Sequence, residues 1–196
     1  MYKQAKSSSG ISLIPLETSL LANRTIFLEG EINHETACRF LRQLMVLCQE
    51  GTKPIKLLIN SPGGEIQAGM LIYDSIQGCA VPIQMYCVGR AYSMGAVLFA
   101  SGRHGRYILP NSEVMLHEPL LGNRVSGNAS SIRSISESLL QVKQKLNGIL
   151  VKHSGRSEQE IEAATSYDHY FSADEAINFG IADCIITFDQ IMKEET

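Results

Sequence analysis

The sequence predicts an α/β domain built on parallel strands, and three observations carry that expectation. β-leaning apolar segments alternate with amphipathic helical segments at short intervals between Thr25 and Gly102, and such alternation implies parallel strands joined by helical crossovers. Two glycine-containing turns, Asn60–Gly64 and Gly89–Ser93, each stand between a strand and a helix. They therefore fall at the carboxyl edge of the sheet, where ligands of open parallel sheets sit. Finally, a periodic stretch from Ala129 to His153, at roughly 1.5 Å per residue, spans more than 30 Å, as wide as a small domain. It either projects and pairs with another subunit or lies across the core.

In order, Thr25–Gly30 reads as a short strand. Glu35 to Gln49 is a helix, with Ala37, Leu41, Leu44, Met45 and Cys48 at helical spacing and Gly51 at its end. Ile55–Ile59 is the next strand, and Ile66 to Gln77 is a helix with Ala68, Leu71, Ile72 and Ile76 on its apolar side. Ile83–Val88 is a strand that leads through the Gly89–Ser93 turn into a helix ended by Gly102. Arg106–Leu109 and Glu113–His117 are strands split by Pro110-Asn111-Ser112. Glu118 to Asn128, with Pro119, Gly122 and Gly127, is a loop or an irregular hairpin. The long helix follows, with Gly155 at a C-cap position. Ser157 with Glu160, and Ser172 with Glu175, read as capping boxes of two short helices. Asp183–Thr187 is a last strand.

The chain has 196 residues, which suits one domain with a sizeable core. Residues 1–20, polar and rich in serine, read as a flexible arm, and 21–196 as a single domain. The formal net charge is −3 and no Lys/Arg run stands out, so nothing points to nucleic acid or an anionic membrane surface. Met94–Ala100, the longest apolar run, is far too short to span a bilayer. The N-terminal residues lack the apolar core of a secretory signal. Five cysteines, Cys38, Cys48, Cys79, Cys87 and Cys184, show no CxxC spacing and mostly sit in apolar segments. A reduced cytoplasmic protein with buried thiols and no metal site is the expectation.

The turn at Ser93 carries the chemistry. Strand, tight turn and helix lift a hydroxyl to a helix N-terminus, where free N–H groups favour developing negative charge. Serine also serves as an ordinary N-cap there, so a nucleophile needs company. Of the five histidines, His117 differs by ending a strand at the expected active edge. A base needs an acceptor to fix its tautomer. Asp168, in a loop just before a capped helix, is the best-placed aspartate. Glu118 is a rival by proximity, but adjacent residues on a strand face opposite ways. An oxyanion needs preorganised N–H donors: Met94 follows the serine, and the Gly63-Gly64 turn offers a second on the neighbouring strand's end.

These residues spell a family. Asn60-Ser-Pro-Gly-Gly64, Ile72-Tyr-Asp74, Ala91-Tyr-Ser-Met-Gly-Ala96, Leu109-Pro-Asn-Ser112, Met115-Leu-His-Glu-Pro119 and Ser172-Ala-Asp-Glu-Ala176 resemble the ClpP family, the proteolytic subunits of ATP-dependent Clp proteases, over about residues 24 to 187. The resemblance implies a ClpP/crotonase-type fold of repeated β-β-α units with a protruding handle at about 118–153. It implies a serine endopeptidase that cleaves unfolded polypeptides to short peptides. In it Ser93 is the nucleophile, His117 the base, Asp168 the third member, Gly64 and Met94 the oxyanion donors, and Leu120, Leu121 and Gly122 the substrate-binding segment. No cofactor is implied for this chain. The expected partners are further copies in heptameric rings, singly or stacked, and an AAA+ unfoldase such as a Clp ATPase, which would use the ATP.

Two departures motivate a rival. Tyr167 stands where the family commonly has an arginine that pairs across rings, and the loop Leu120–Gly127 differs from the family's glycine-paired one. Lys56, Leu58 and Gly78 also stand where aromatics of the unfoldase-docking pocket are common. The alternative is a non-catalytic or regulatory ring subunit. A crotonase-type acyl-CoA hydratase or isomerase is a third reading, disfavoured because those enzymes typically use carboxylates for proton transfer.

Overall fold

The computed structural model describes residues 1–7, 10–122 and 126–193. Its elements run β1 (Tyr2–Ser7), β2 (Gly10–Pro15), α1 (Leu16–Ala22), β3 (Thr25–Glu29), α2 (His34–Glu50), β4 (Ile55–Ser61), α3 (Ile66–Gly78), β5 (Ile83–Tyr92) and α4 (Met94–Ala100). They continue as β6 (Arg106–Ile108), β7 (Glu113–Leu116), α5 (Ala129–Ser154), α6 (Glu158–Thr165), β8 (His169–Phe171), α7 (Ala173–Phe179), β9 (Cys184–Ile185) and α8 (Phe188–Met192).

The main sheet is the expected parallel one. β3, β4, β5, β6 and β9 lie side by side, and β7 joins β5 and β8. Only the β7–β8 pair is antiparallel. β4 and β5 are apolar almost throughout because both of their faces are covered, as central parallel strands require. Ile55, Leu57, Ile59, Met85 and Cys87 are all fully buried. Helices α2 to α5 contribute to the principal core on one face. On the other face Leu58 and Tyr86 pack with Ile186 and with Ile191 of α8. Lys56 seals that edge by donating to the carbonyls of Ile191, at 2.5 Å, and Lys193.

β5 runs four residues past the strand end expected at Val88, and its length lets it serve two partners. Met85–Cys87 pair with Arg106–Ile108, and Arg90–Tyr92 with Glu113–Met115. Between them the register with β4 shifts, from Ile59 opposite Cys87 to Ser61 opposite Ala91. The shift falls at Gly89, whose amide donates to Ser112 Oγ at 2.7 Å.

The caps read from the sequence are formed. The Ser157 and Ser172 hydroxyls accept from the amides of Glu160 and Glu175, whose carboxylates accept in return. Gly155 and Gly180 end α5 and α7 in the left-handed conformation. α5 has 26 residues, about 39 Å, and projects. Its buried residues are Leu146, Asn147, Ile149 and Leu150, near the C-terminal end, while Ile132 and Leu140 are about half exposed.

Three expectations need correction. Residues 1–20, read above as a flexible arm, carry secondary structure of their own: β1 and β2 pair as an antiparallel hairpin from Tyr2↔Pro15 to Ser7↔Gly10, and α1 follows. Ile11 and Leu13 are both about two-thirds exposed, so no inward face imposed the usual alternation. The cysteines are not mostly buried. Only Cys87 is; Cys48 and Cys184 are exposed and Cys38 and Cys79 intermediate, because apolar flanks do not fix which way a helical residue points. Asp168 is followed by a strand, β8, where a loop was expected. Asn123, Arg124 and Val125 of the expected substrate loop lie outside the described residues.

Arg106 ties the rear of the domain together. Its buried guanidinium donates to the carbonyls of Ala100 (3.2 Å), His153 (3.0 Å) and Gly180 (2.7 Å) and to the Asp183 carboxylate. Beside it, His153 Nε2 and Tyr73 Oη share a hydrogen bond of 3.1 Å. Burial, then Lys152, Arg106 and Arg103, hold His153 below the usual imidazole pKa. An imidazole depressed in the folded state binds its proton more readily when unfolded, so its contribution to stability is present above the unfolded value of 6.5 and lost as pH falls through the folded one. The urea midpoint of the wild type is expected to fall as pH drops below about 6.5, with a flatter profile for His153→Gln, which keeps a partner for Tyr73. Identical profiles would remove His153 from this role.

Candidate active site

Ser93 sits where β5 becomes α4 and has φ 54°, ψ −121°. Few non-glycine residues adopt this backbone, and holding it costs about 1–3 kcal/mol. Three contacts impose it. The Ser93 amide donates to Met115 O of β7 at 2.8 Å, and its carbonyl accepts from Ala96 and Val97 in the first turn of α4. α4 itself is wholly buried. Tyr92 anchors the preceding position: its hydroxyl donates to the Glu113 carboxylate, which pushes the phenol up to about 12, and its ring meets Tyr170 of β8 edge-on. The Ser93 side chain makes no capping bond, so the hydroxyl is not spent as an N-cap.

The Pro62-Gly63-Gly64 turn is pressed against this elbow. A Cβ on Gly63 would stand 2.7 Å from both Ser93 Cβ and Tyr92 O, and Gly63 has φ 91°. The turn is also pinned from behind. Ile32 donates to Gly63 O (2.8 Å) and accepts from the Glu65 amide (2.7 Å). Between these two bonds the Gly64 amide makes no backbone bond among the described residues. Ser61, fully buried, holds the same turn. Its hydroxyl donates to Gly30 O at 2.6 Å and accepts from the Gly63 amide at 3.1 Å. Met94, whose amide opens α4, packs its side chain where a Cβ on Gly69 would collide.

Ser93, Met94, Gly64 and His117 line one cavity of about 650 Å³. Its apolar wall includes Val97, Leu116, Leu146 and Leu150, and Asn147 and Thr165 add polar groups. Leu120 and Gly122 reach it; Leu121 is not among the lining residues. Glu118 lines it too, but its carboxylate is paired with Lys143 of α5 at 2.9 Å, which raises the lysine's pKa. The rival acid is therefore engaged away from His117.

Asp168 is placed by topology. In the antiparallel β7–β8 ladder Val114 faces Phe171, Met115 faces Tyr170 and Leu116 faces His169. The next position of that register sets His117 opposite Asp168, and directly opposed residues in such a pair lie about 4.5–5.5 Å apart at Cα. The side chains do not meet. Asp168 is exposed, and His117 Nδ1 is buried without a hydrogen-bond partner. An unsatisfied buried ring nitrogen costs about 1–3 kcal/mol. Ser93, His117, Gly64 and Met94 thus line one cavity, and Asp168 stands opposite His117 in the register, its carboxylate exposed.

Sequence reasoning missed Ser61, Ile32, Tyr92 and Thr165. Ser61 had a signal: a small hydroxyl before Pro-Gly-Gly suits a side chain that folds back on its own turn. Gly63→Ala is expected to lower stability by about 2–4 kcal/mol in urea unfolding, from clash plus strained φ. Gly30→Ala, with φ 72° but open space around it, serves as the control at about 1 kcal/mol. Equal losses would mean that the two turns yield rather than lock.

A family model, Clp protease, matches residues 9–189. The match spans Gly64, Ser93, Met94, His117 and Asp168, and no helix among the described residues is long and apolar enough to cross a membrane. With the parallel sheet, the serine elbow and the glycine turn beside it, this match establishes that the chain belongs to the Clp protease family.

Proposed function

We propose that this chain is a serine endopeptidase, the proteolytic subunit of an ATP-dependent protease, and that Ser93, His117 and Asp168 are its triad. The observation that carries the reading is the juxtaposition of Ser93 and His117 at one cavity with the Gly64 and Met94 amides. Ser93 Oγ attacks the scissile carbonyl carbon as His117 takes its proton, and the oxyanion settles on the two amides. The C–N bond then breaks and His117 protonates the leaving amine. Water, deprotonated by His117, hydrolyses the ester. The apolar wall of Val97, Leu146 and Leu150 suits an apolar side chain beside the cleaved bond.

The half-exposed apolar residues on α5 support contacts between subunits, in keeping with heptameric rings, singly or stacked, that enclose a chamber fed by an AAA+ unfoldase. A cytoplasmic setting agrees with cysteines that are all free. Leu120 and Gly122 reach the cavity and suit an extended substrate; Leu121 is kept as part of that segment.

The unpartnered His117 Nδ1 favours a second reading, a ring subunit without activity of its own. On the first reading the Asp168 carboxylate turns onto Nδ1 and satisfies it. A fluorophosphonate probe separates the two. The assembled wild type is expected to be labelled at Ser93 and to cleave a fluorogenic peptide. Ser93→Ala should lose on the order of 10⁶-fold in turnover, and Asp168→Asn on the order of 10⁴-fold. Unchanged cleavage by Ser93→Ala would sink the assignment; an assembled wild type that neither labels nor cleaves selects the inert subunit.

A further inference from the structure

The mechanism leaves the cysteines unused, and two of them lie together. The Sγ atoms of Cys48 and Cys79 are 3.2 Å apart, and both cysteines are free thiols. That separation is about 1.2 Å longer than a disulfide bond, so the link needs only a small further approach of the two sulfurs. Cys48 is exposed on the last turn of α2, and Cys79 is the half-buried C-cap of α3. Both anchor points are fixed. Arg24 grips the end of α2 by donating to the carbonyls of Leu47 (3.0 Å), Gly51 (3.1 Å) and Lys53 (2.9 Å). The Cys79 amide closes α3 on Ile76 O. The two sulfurs meet because α2 and α3 pack together, not because a loop happens to bring them close.

We propose that Cys48 and Cys79 are a redox modification site, forming a reversible disulfide that cross-links the C-terminal ends of α2 and α3, with a small disulfide of the glutathione class as oxidant. One protein thiolate attacks a sulfur of the oxidant, whose S–S bond breaks to give a mixed disulfide and one released thiolate. The second protein thiolate then attacks the first cysteine's sulfur, the mixed disulfide breaks, and a second small thiolate leaves. The two protein thiol protons end on the two released thiols. The protein loses two electrons and the oxidant gains them.

Burial, and then the neighbouring Cys79, push the Cys48 thiol up to about 11. Cys48 is therefore mostly protonated near neutral pH, and exchange quickens as its thiolate accumulates. The link lies at the far ends of two helices that both begin beside the Gly63–Gly64 turn. It does not rest on the peptidase reading, because its readout is covalent chemistry.

The test is to incubate the full chain in graded mixtures of oxidised and reduced glutathione, quench with acid, alkylate, and measure intact mass and joined peptides. The expected result is a chain that takes up three alkyl groups where the reduced chain takes five, with a peptide pair joined through Cys48 and Cys79. It should reverse on adding reduced glutathione and form faster as the pH rises from about 7 to about 9. Cys48→Ser and Cys79→Ser are each expected to abolish the internal link, and Cys184→Ser to retain it. A wild type whose Cys48 and Cys79 both stay alkylatable in the most oxidising mixture overturns the proposal. So does the same internal link in Cys79→Ser.

Discussion

The site depends on how near one backbone comes to another at the ends of β4 and β5. Gly63 approaches Ser93 so closely that a single added carbon would collide with it. The same approach brings Gly64, Ser93 and Met94 to the lining of one cavity. The neighbours serve the same contact. Ile32 holds Gly63 and Glu65 from behind, Ser61 folds its hydroxyl under the turn, and the bond from Ser93 to Met115 O draws the elbow onto β7. The strained φ at Ser93 is tolerated because the buried α4 and the sheet over-determine it.

The domain is fixed at the rear and unfinished at the front. Behind the sheet, Arg106 draws in Ala100 of α4, His153 of α5, the Gly180 cap of α7 and Asp183 before β9. Buried carbonyls at helix ends are costly unless satisfied, and one guanidinium satisfies three of them. At the front, His117 keeps a buried nitrogen without a partner while Asp168 faces solvent. The β7–β8 register sets the two residues opposite each other, but their side chains are not bonded.

Much of this was legible because the signals are local. The parallel core follows from continuous apolar strands between amphipathic helices, and helix ends follow from Ser…Glu pairs and terminal glycines a few residues apart. Ser93, His117, Gly64 and Met94, which line one cavity, stand out in the sequence because each sits at a strand end or turn. What stayed hidden depends on distant partners. β8 is three residues long and mostly exposed, and exists as a strand only because β7 is there to pair with it; without it the sequence cannot say that Asp168 faces His117. The acceptors of Arg106 are scattered over three helices' ends. In the N-terminal hairpin Tyr2, Ile11 and Leu13 are all about two-thirds exposed, and Cys48 sits among apolar residues but on the outer side of its helix.

The pairing of β7 with β8 also dictates an order of events during synthesis. Ser93 and His117 leave the ribosome well before Asp168, because α5 and α6 must be translated between them. Until β8 has emerged, β7 has one edge unpaired and the proposed base has no carboxylate across from it. A nascent or truncated chain ending before Asp168 thus lacks a complete site however well its first half has folded. On the proposed reading, the chain order withholds the third member of the triad until most of the domain has been made.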